Sequence, residues 1–442
     1  MTMRKEVKPA TVPFAATPAG EPPSIRTWAN WNVWTERMLT TLEQGKVRGG
    51  RWHTLIDKVY DRGNMQSALF SVASNRGAAG VDRQSVQNFI DQSEEELQRL
   101  SDALQNDAYT PQAVRRVWIP KPGGTEKRPL GIPTVRDRVA QTALLHVIEP
   151  IFDVTFADHS YGFRRGRGCH HALERVESLL EAGYVFVVDA DLKSYFDTIP
   201  GDRLMARVRE RISDSRILRM IEMFLEQGVM DGLKEWTPEA GTPQGAVISP
   251  LLANIYLNPL DHMLSGSGFQ MVRYADDFVI LCRTPEEAEQ ALELVGTWVA
   301  DNGLTLHPAK TKIVDNRTEG FDFLGYHFRG KLRLPRTKSL KKLKDAVRAK
   351  TRRTHGDDLQ TTCASLNRTL RGWFIYFRHC HWTVFHDLDA WIRMRLRSIL
   401  RKRQGRRGRG RGQDHHRWPN SHFAELGLYS LSAAHARFAN PP

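Results

Sequence analysis

The apolar positions of this chain fall into two kinds of run. Residues 184–188 and 271–281 are rich in Val, Ile, Phe and Tyr and bounded by polar residues, which predicts strands. The second run is broken by Asp276-Asp277, so it reads as strand, tight turn, strand. Residues 113–133 read as two strands around a Pro122-Gly123-Gly124 turn, and 304–312 and 321–326 as shorter strands. Elsewhere the period is that of a helix: 84–92, 94–106, 136–156, 201–211, 215–227, 251–264 and 284–302. The last opens Thr284-Pro285-Glu286-Glu287, with proline at the first helical position and acids in the first turn. Trp28, Trp31 and Trp34 recur at helical spacing beside Met38 and Leu42, as a core-facing stripe would, and Trp52 to Tyr60 continues helical. From Ser339 three helices follow, the second over 358–378 and the third over 384–402, enough for a separate antiparallel bundle. Residues 1–25, rich in Pro, Ala and Thr, read as disordered.

With 442 residues the chain is long enough for two or three domains at about 150 residues each. Its net charge of +14 changes the picture most, because an excess of that size calls for a polyanionic partner, most simply nucleic acid. The rival polyanion, a membrane surface, is disfavoured by the lack of a long apolar span, a lipidation motif or a signal-like start. The four cysteines are too scattered for a disulfide framework or a zinc site, which fits a reduced cytoplasm. His379, Cys380 and His381 read as helix packing for the same reason. Basic residues crowd 341–353, with Lys341 and Lys342 among them, and 401–412 is a low-complexity arginine-glycine tether that cannot build a core.

The candidate chemistry lies in the acids. Asp276 and Asp277 repel one another at a hairpin tip unless a cation sits on them, and magnesium, a hard ion, suits such ligands. The run 184–197 places Asp189 and Asp191 on one face of a strand and Val188 and Ala190 on the other. Two strands carrying three carboxylates could hold two magnesium ions about 3.5–4 Å apart, the clamp for an in-line phosphoryl displacement. Lys121 and Arg128 flank the 113–133 hairpin, a point charge and a planar fork suited to a triphosphate. Pro243-Gln244-Gly245 precedes a helix start, where backbone N–H groups can face a nucleotide. Residues 160–168 interleave aromatics with arginines, a mixture suited to nucleic acid, and the Gly-rich loop 75–82 lacks the lysine of a P-loop.

Tyr274-Ala275-Asp276-Asp277 with the 187–197 stretch resembles the palm of a reverse transcriptase. The ordered set 75–82, 118–133, 160–167, 187–197, 241–257, 273–278, 310–312 and 323–326, with the helical stretch 370–377, is similar to bacterial group II intron-encoded reverse transcriptases, the maturases. The resemblance implies an α+β right-hand polymerase, with an N-terminal extension and start of fingers over 26–112, fingers and palm over 113–332, an α-helical thumb over 333–402, and a basic tether and short tail over 403–442. It implies RNA-directed DNA synthesis, with binding of intron RNA to assist splicing and mobility. Asp191, Asp276 and Asp277 would be the ligands of two Mg2+ ions, with Mn2+ as a substitute. Lys121 and Arg128 would hold the triphosphate, Phe196 would exclude a 2′-hydroxyl, Gln244 would line the nucleotide pocket and Lys310 would lie near the pyrophosphate. Arg164, Arg165, Arg167, Lys341, Lys342 and Arg371 are the expected nucleic-acid contacts. Asp189 and Asp197 match no ligand of the family.

The partners implied are intron RNA as template, a DNA or RNA primer, target DNA and deoxynucleoside triphosphates, in a bacterial cytoplasm near the nucleoid; monomer and homodimer both stay open. Ser194 stands where the family often has glycine. The residues after Gly412 include no cysteine and are too few for the nuclease domain of many relatives, so a compact, nuclease-lacking type is expected and His415 and His416 read as a solvated pair. Two other readings remain open on the residues alone: a polymerase freed from any intron and used in DNA repair or phage defence, and a splicing-only RNA-binding protein.

Overall fold

The computed structural model describes residues 25–30, 33–120, 127–231, 234–236, 245–354, 356–410 and 412–440. The expected disordered segment 1–25 and the 122–124 turn lie almost wholly outside them. The chain divides into two compact units, Met1–Val176 with Val188–Lys312, and Glu177–Val187 with Ile313–Pro442. The stretch 313–332 thus groups with the helical region rather than with the palm.

Up to residue 105 the elements are α1 (Glu36–Glu43), α2 (Ile56–Val59), α3 (Arg62–Ser74), α4 (Val86–Asp91) and α5 (Ser93–Gln105). There follow β1 (Val114–Pro120), β2 (Lys127–Ile132), α6 (Val135–Asp153), α7 (Cys169–Glu181), β3 (Phe186–Asp191), α8 (Tyr195–Thr198), α9 (Gly201–Arg209) and α10 (Ser215–Leu225). Then come β4 (Val229–Asp231), β5 (Lys234–Trp236), α11 (Ser249–Gly266), β6 (Gln270–Tyr274), β7 (Asp277–Cys282), α12 (Pro285–Asp301) and β8 (Lys312–Asp315). One sheet has the order β2-β1-β4-β5 and the other β6-β7-β3-β8. β1 and β2 form the expected antiparallel hairpin, from Arg115↔Ile132 to Pro120↔Lys127. Helices α6 and α11 are buried round most of their circumference and therefore interior: Val139, Leu144, Val147, Leu252, Leu257 and Leu260 are fully buried. Side-chain caps fix the starts, with Thr134 accepting from Asp137 N, Asp214 from Ile217 N and Thr284 from Glu287 N.

Two expectations fail near the N-terminus. Trp34 is fully buried and donates to His146 O at 3.0 Å, but Trp28 follows a separate 3-10 turn, and α1 begins only after the Thr35 cap. The tryptophan stripe is therefore not one helix, and Trp31 lies outside the described residues. Trp52 is not helical either; it forms a β-bridge with Ile212, and α2 starts only at Ile56, where the Asp214 carboxylate takes the N–H groups of Leu55 (2.6 Å) and Ile56 (3.1 Å).

The second unit carries the antiparallel sheet β9 (Phe321–Phe323), β10 (Tyr326–Arg329) and β11 (Leu332–Pro335), order β11-β10-β9. Leu324 and Gly325 both have positive φ, as a two-residue hairpin turn requires. Helices α13 (Thr337–Lys350), α14 (Leu359–Phe377) and α15 (Trp382–Arg403) follow, packed through Leu343, Val347, Leu366, Leu370, Leu388 and Leu396. Then come α16 (Asp414–Arg417), α17 (Asn420–Glu425) and α18 (Leu431–Ala439).

These last helices correct the picture of a tether, and they fold the expected short tail. Phe423 and Leu431 are buried, and the buried Asp389 of α15 accepts from Leu431 N (3.0 Å), Ser432 N (3.1 Å), Ser430 Oγ (2.8 Å) and Ser432 Oγ (2.7 Å). Arg397, also buried, donates to Trp418 O (2.9 Å) and Asn420 Oδ1 (2.8 Å). The tail is part of the helical unit because two buried charges on α15 need what it supplies. His415 and His416 are exposed, as expected.

Candidate active site

β6 and β7 are joined by the two-residue turn Ala275-Asp276, with Tyr274 opposite Asp277. Ala275 has φ 60°, a left-handed conformation costing a non-glycine residue about 1–2 kcal/mol. What holds it is a charge inside the protein. Arg273 is fully buried and meets Asp261 in two parallel bonds, Nε–Oδ1 2.7 Å and Nη2–Oδ2 2.5 Å. Its third nitrogen, Nη1, donates to Asn254 Oδ1 (2.8 Å) and to Ala275 O (2.9 Å), the carbonyl of the turn itself. Burial pulls the guanidinium down, but the Asp261 carboxylate outweighs it and the net shift is upward.

A second support comes from 159–162. Arg273 N donates to His159 O (2.9 Å) and Tyr161 N to Arg273 O (2.8 Å), so this segment extends the sheet beside β6. Gly162 lies against the turn so closely that a Cβ there would stand 2.3 Å from Ala275 N. Asn254 Nδ2 donates to Gly162 O at 2.8 Å and closes the circuit.

Asp191 ends β3, the neighbour of β7, and Asp189 and Asp191 are half-exposed while Val188 and Ala190 are buried. The strand end is fixed by His307 N donating to Asp191 O (2.7 Å) and Lys193 N to Thr305 O (2.9 Å). Lys310 Nζ lies 2.6 Å from Asp191 Oδ2, at the acid itself. Ser194 has φ 51°, the left-handed region where glycine is free, which gives a backbone reason for a glycine at this position. α8 follows, anchored by Tyr195 donating to Ala253 O (2.7 Å); the half-buried Phe196 ring sits 5.5 Å from that of Tyr195.

Of the nucleotide-binding residues, Lys121 and Gln244 lie outside the described residues, and Arg128 belongs to β2, paired with Ile119. A Cβ on Gly245 (φ 111°) would stand 2.3 Å from Gly131 O, so the residue following Gln244 touches the strand that carries Arg128. In the 75–82 loop two carbonyls are held by arginines: Arg115 donates to Ala79 O (2.7 Å) and Arg138 to Ala78 O (2.8 Å).

Arg164, expected on nucleic acid, is instead a buried scaffold residue. Its fork serves Asp153 Oδ1 (2.7 Å), Asp153 O (3.0 Å), Ala157 O (2.8 Å) and Ser160 O (3.0 Å). Arg167 is paired with Asp158 at 3.0 Å, whereas Arg165 stays half-exposed beside Glu149. Burial raises that Glu149 carboxyl to about 6. Lys341 and Lys342 are exposed on α13, and Arg371, exposed on α14, lies over the Tyr429 ring at 5.5 Å.

The site is a set of hard oxygen donors at adjoining strand ends, and Lys310 shows that a cation is already favoured at Asp191, so the residues fit a divalent ion. Among the described residues no three acidic, histidine or cysteine side chains converge into a ready-made cage. Arg273, Asp261, Asn254 and Gly162 were not singled out from the sequence. Their signal was present, as an arginine in the apolar strand and an aspartate in an apolar helix.

Residues 119–328 match the family described as reverse transcriptase (RNA-dependent DNA polymerase), and residues 340–418 the group II intron, maturase-specific domain. The chain is 38% identical over 271 residues to Protein YkfC of Escherichia coli (strain K12), covering 52% of this chain and 70% of that one. It is 37% identical over 196 residues to the group II intron-encoded protein LtrA of Lactococcus lactis subsp. cremoris, covering 44% of this chain and 32% of that one. With the acid-bearing hairpin in the first matched region and the helical bundle in the second, the chain belongs to the reverse transcriptases of group II introns, an RNA-dependent DNA polymerase domain joined to a maturase-specific domain.

Proposed function

We propose that this chain copies intron RNA into DNA and binds the same RNA to assist its splicing. One observation carries the reading: Asp191 closes β3 and Asp276-Asp277 opens β7, its neighbour, on a turn fixed by a buried ion pair. The reaction is attack of a primer 3′-hydroxyl on the α-phosphorus of a deoxynucleoside triphosphate, with pyrophosphate leaving. Two divalent ions on Asp191, Asp276 and Asp277, when bound, would neutralise the charge that develops between nucleophile and leaving group. The protein's own part is positioning. Arg128 and Lys121 grip the triphosphate, Gln244 lines the base pocket and the Phe196 ring fills the space of a 2′-hydroxyl. Lys310 turns from Asp191 to the departing pyrophosphate once that carboxylate is otherwise neutralised. No described helix is long and apolar enough to cross a membrane.

Primer extension on an RNA template tests the proposal. Asp276→Ala and Asp191→Ala are each expected to lower synthesis by about 10²–10³-fold or more, as loss of a principal electrostatic stabiliser does, with RNA affinity nearly unchanged. Near-normal extension by Asp276→Ala would overturn the assignment.

A further inference from the structure

One ring beside the acidic turn is displayed rather than packed. Phe163 is 52% exposed, while Tyr195, Phe224 and Phe278 of the same unit are buried. Its φ is 56°, a left-handed value that is an outlier for a bulky residue. A side chain so exposed gains little from burial to offset that strain, so the neighbours must impose it.

They do so from both sides. Gly162 lies against Ala275 N with its carbonyl held by Asn254, and the buried Arg164 is tied to Asp153, Ala157 and Ser160. The Phe163 ring between them stands 6.3 Å from that of Tyr274, tilted by 43°. Such a separation lies within the range of about 4.5–7 Å at which aromatic rings attract. Tyr274 is half-exposed, its hydroxyl meets the Cys169 thiol at the start of α7, and the Ala275-Asp276 turn follows it directly. The two rings form a fixed apolar ledge against the hairpin that presents Asp276 and Asp277, and all of these residues lie in the first unit.

We infer that Phe163 is a contact for the primer terminus, its ring lying along the minor-groove edge of the last base pair of the template–primer duplex. The inference rests on the proposed function, which brings a primer 3′-hydroxyl to these carboxylates. An uncharged ring offers a phosphate nothing, so it meets sugar and base edges. The open face of the last base pair is covered by the base of the incoming nucleotide, which leaves the groove edge to a fixed residue of the protein. A duplex of A-form has a wide, shallow minor groove along which a flat ring can lie. Watson–Crick pairs share one outline at that edge, whereas a mispair shifts one of its bases. A ledge that cannot yield therefore accepts a matched primer end and is pushed by a mispaired one. That gives the backbone strain a use, since a ring free to relax would follow the mispair.

Steady-state primer extension by the full chain tests this, on an RNA template with a DNA primer ending in a matched or a mispaired base. Phe163→Ala is expected to raise KM for the matched primer–template about tenfold, near the low end of what a ring–nucleotide contact contributes, and to lower the preference for matched over mispaired ends by a similar factor. Phe163→Tyr keeps the ring and is expected to restore both. Leu294→Ala removes an exposed apolar side chain of α12 and is expected to change neither. Melting temperature is expected to stay at the wild-type value in all three variants, because neither side chain is buried. Wild-type KM and selectivity in Phe163→Ala would overturn the contact. So would a fall in kcat on matched and mispaired ends alike with KM unchanged, which would mean that the ring only props the turn. An equal loss with Leu294→Ala would overturn it too. If the wild type extends no primer, the proposed function fails; if the wild type extends and Phe163→Ala matches it, only this contact fails.

Discussion

In the β6–β7 hairpin a buried cation supports a turn that presents carboxylates. In the helical unit a buried carboxylate, Asp414, ties down Arg401, which clamps a loop presenting arginines, while a second, Asp389, gathers the tail. In both regions the displayed charge is held by hidden charge, since a hidden charge demands partners and so dictates where backbone goes. The partners differ in kind. Arg273 is matched by another buried charge, Asp261, at 2.5 Å. Asp389 is matched by N–H groups and hydroxyls, with its nearest arginine, Arg393, at 4.0 Å. A pair of charges is specified more sharply and fails harder, because losing one member strands the other.

The largest effect should therefore follow Arg273→Met. It leaves Asp261 buried and alone, at a cost of about 3–5 kcal/mol in the chemical unfolding of the first unit. Adding Asp261→Leu is expected to recover most of the stability. Synthesis is not expected to return, because the bond to Ala275 O is gone. If the double variant polymerises normally, the network stabilises the fold without aiming the turn.

Asp389→Ala comes next. Four hydrogen bonds end on that carboxylate, and the backbone donors of Leu431 and Ser432 are left wanting, at about 1–3 kcal/mol for a buried unsatisfied group. Limited proteolysis should then cut within 412–440 first. Unchanged cleavage would show that apolar packing of Phe423 and Leu431 suffices.

The smallest and most discriminating effect compares two glycines. Gly162→Ala drives a methyl into the backbone of Ala275, and Gly410→Ala drives one into the Arg397 side chain. Each should cost about 1–3 kcal/mol by overpacking. The first is expected to slow nucleotide addition with RNA affinity intact, the second to weaken RNA affinity with nucleotide addition intact. Exchange of those outcomes would break the comparison.

What could be read from the sequence was local. The Asp276-Asp277 tip shows in its flanking strands, and α12 in its Thr284-Pro285 start, because turn and cap chemistry act over a few residues. Arg164 was misread because an arginine among aromatics looks the same whether its acceptors lie on a ligand or on residues 153–160 of its own chain. Lys310 was expected near the nucleotide, but its contact with Asp191 spans 119 positions, which no local pattern reports. The tether reading failed because composition says what a segment cannot do alone, and residues 401–410 are held by Ser398, Arg353 and Asp414.

The bonds from Asp389 to residues 430–432 also set a clock. Ser430 is made 41 positions after Asp389. At about 5–20 residues per second, a nascent chain spends on the order of 2–8 s with that carboxylate synthesised and its partners still to come. Through that interval α14 and α15 lack the segment that covers Phe385 and completes the bundle. Slow codons between the two positions would lengthen the vulnerable interval, and a chaperone acting on this protein during its synthesis would find its binding site there.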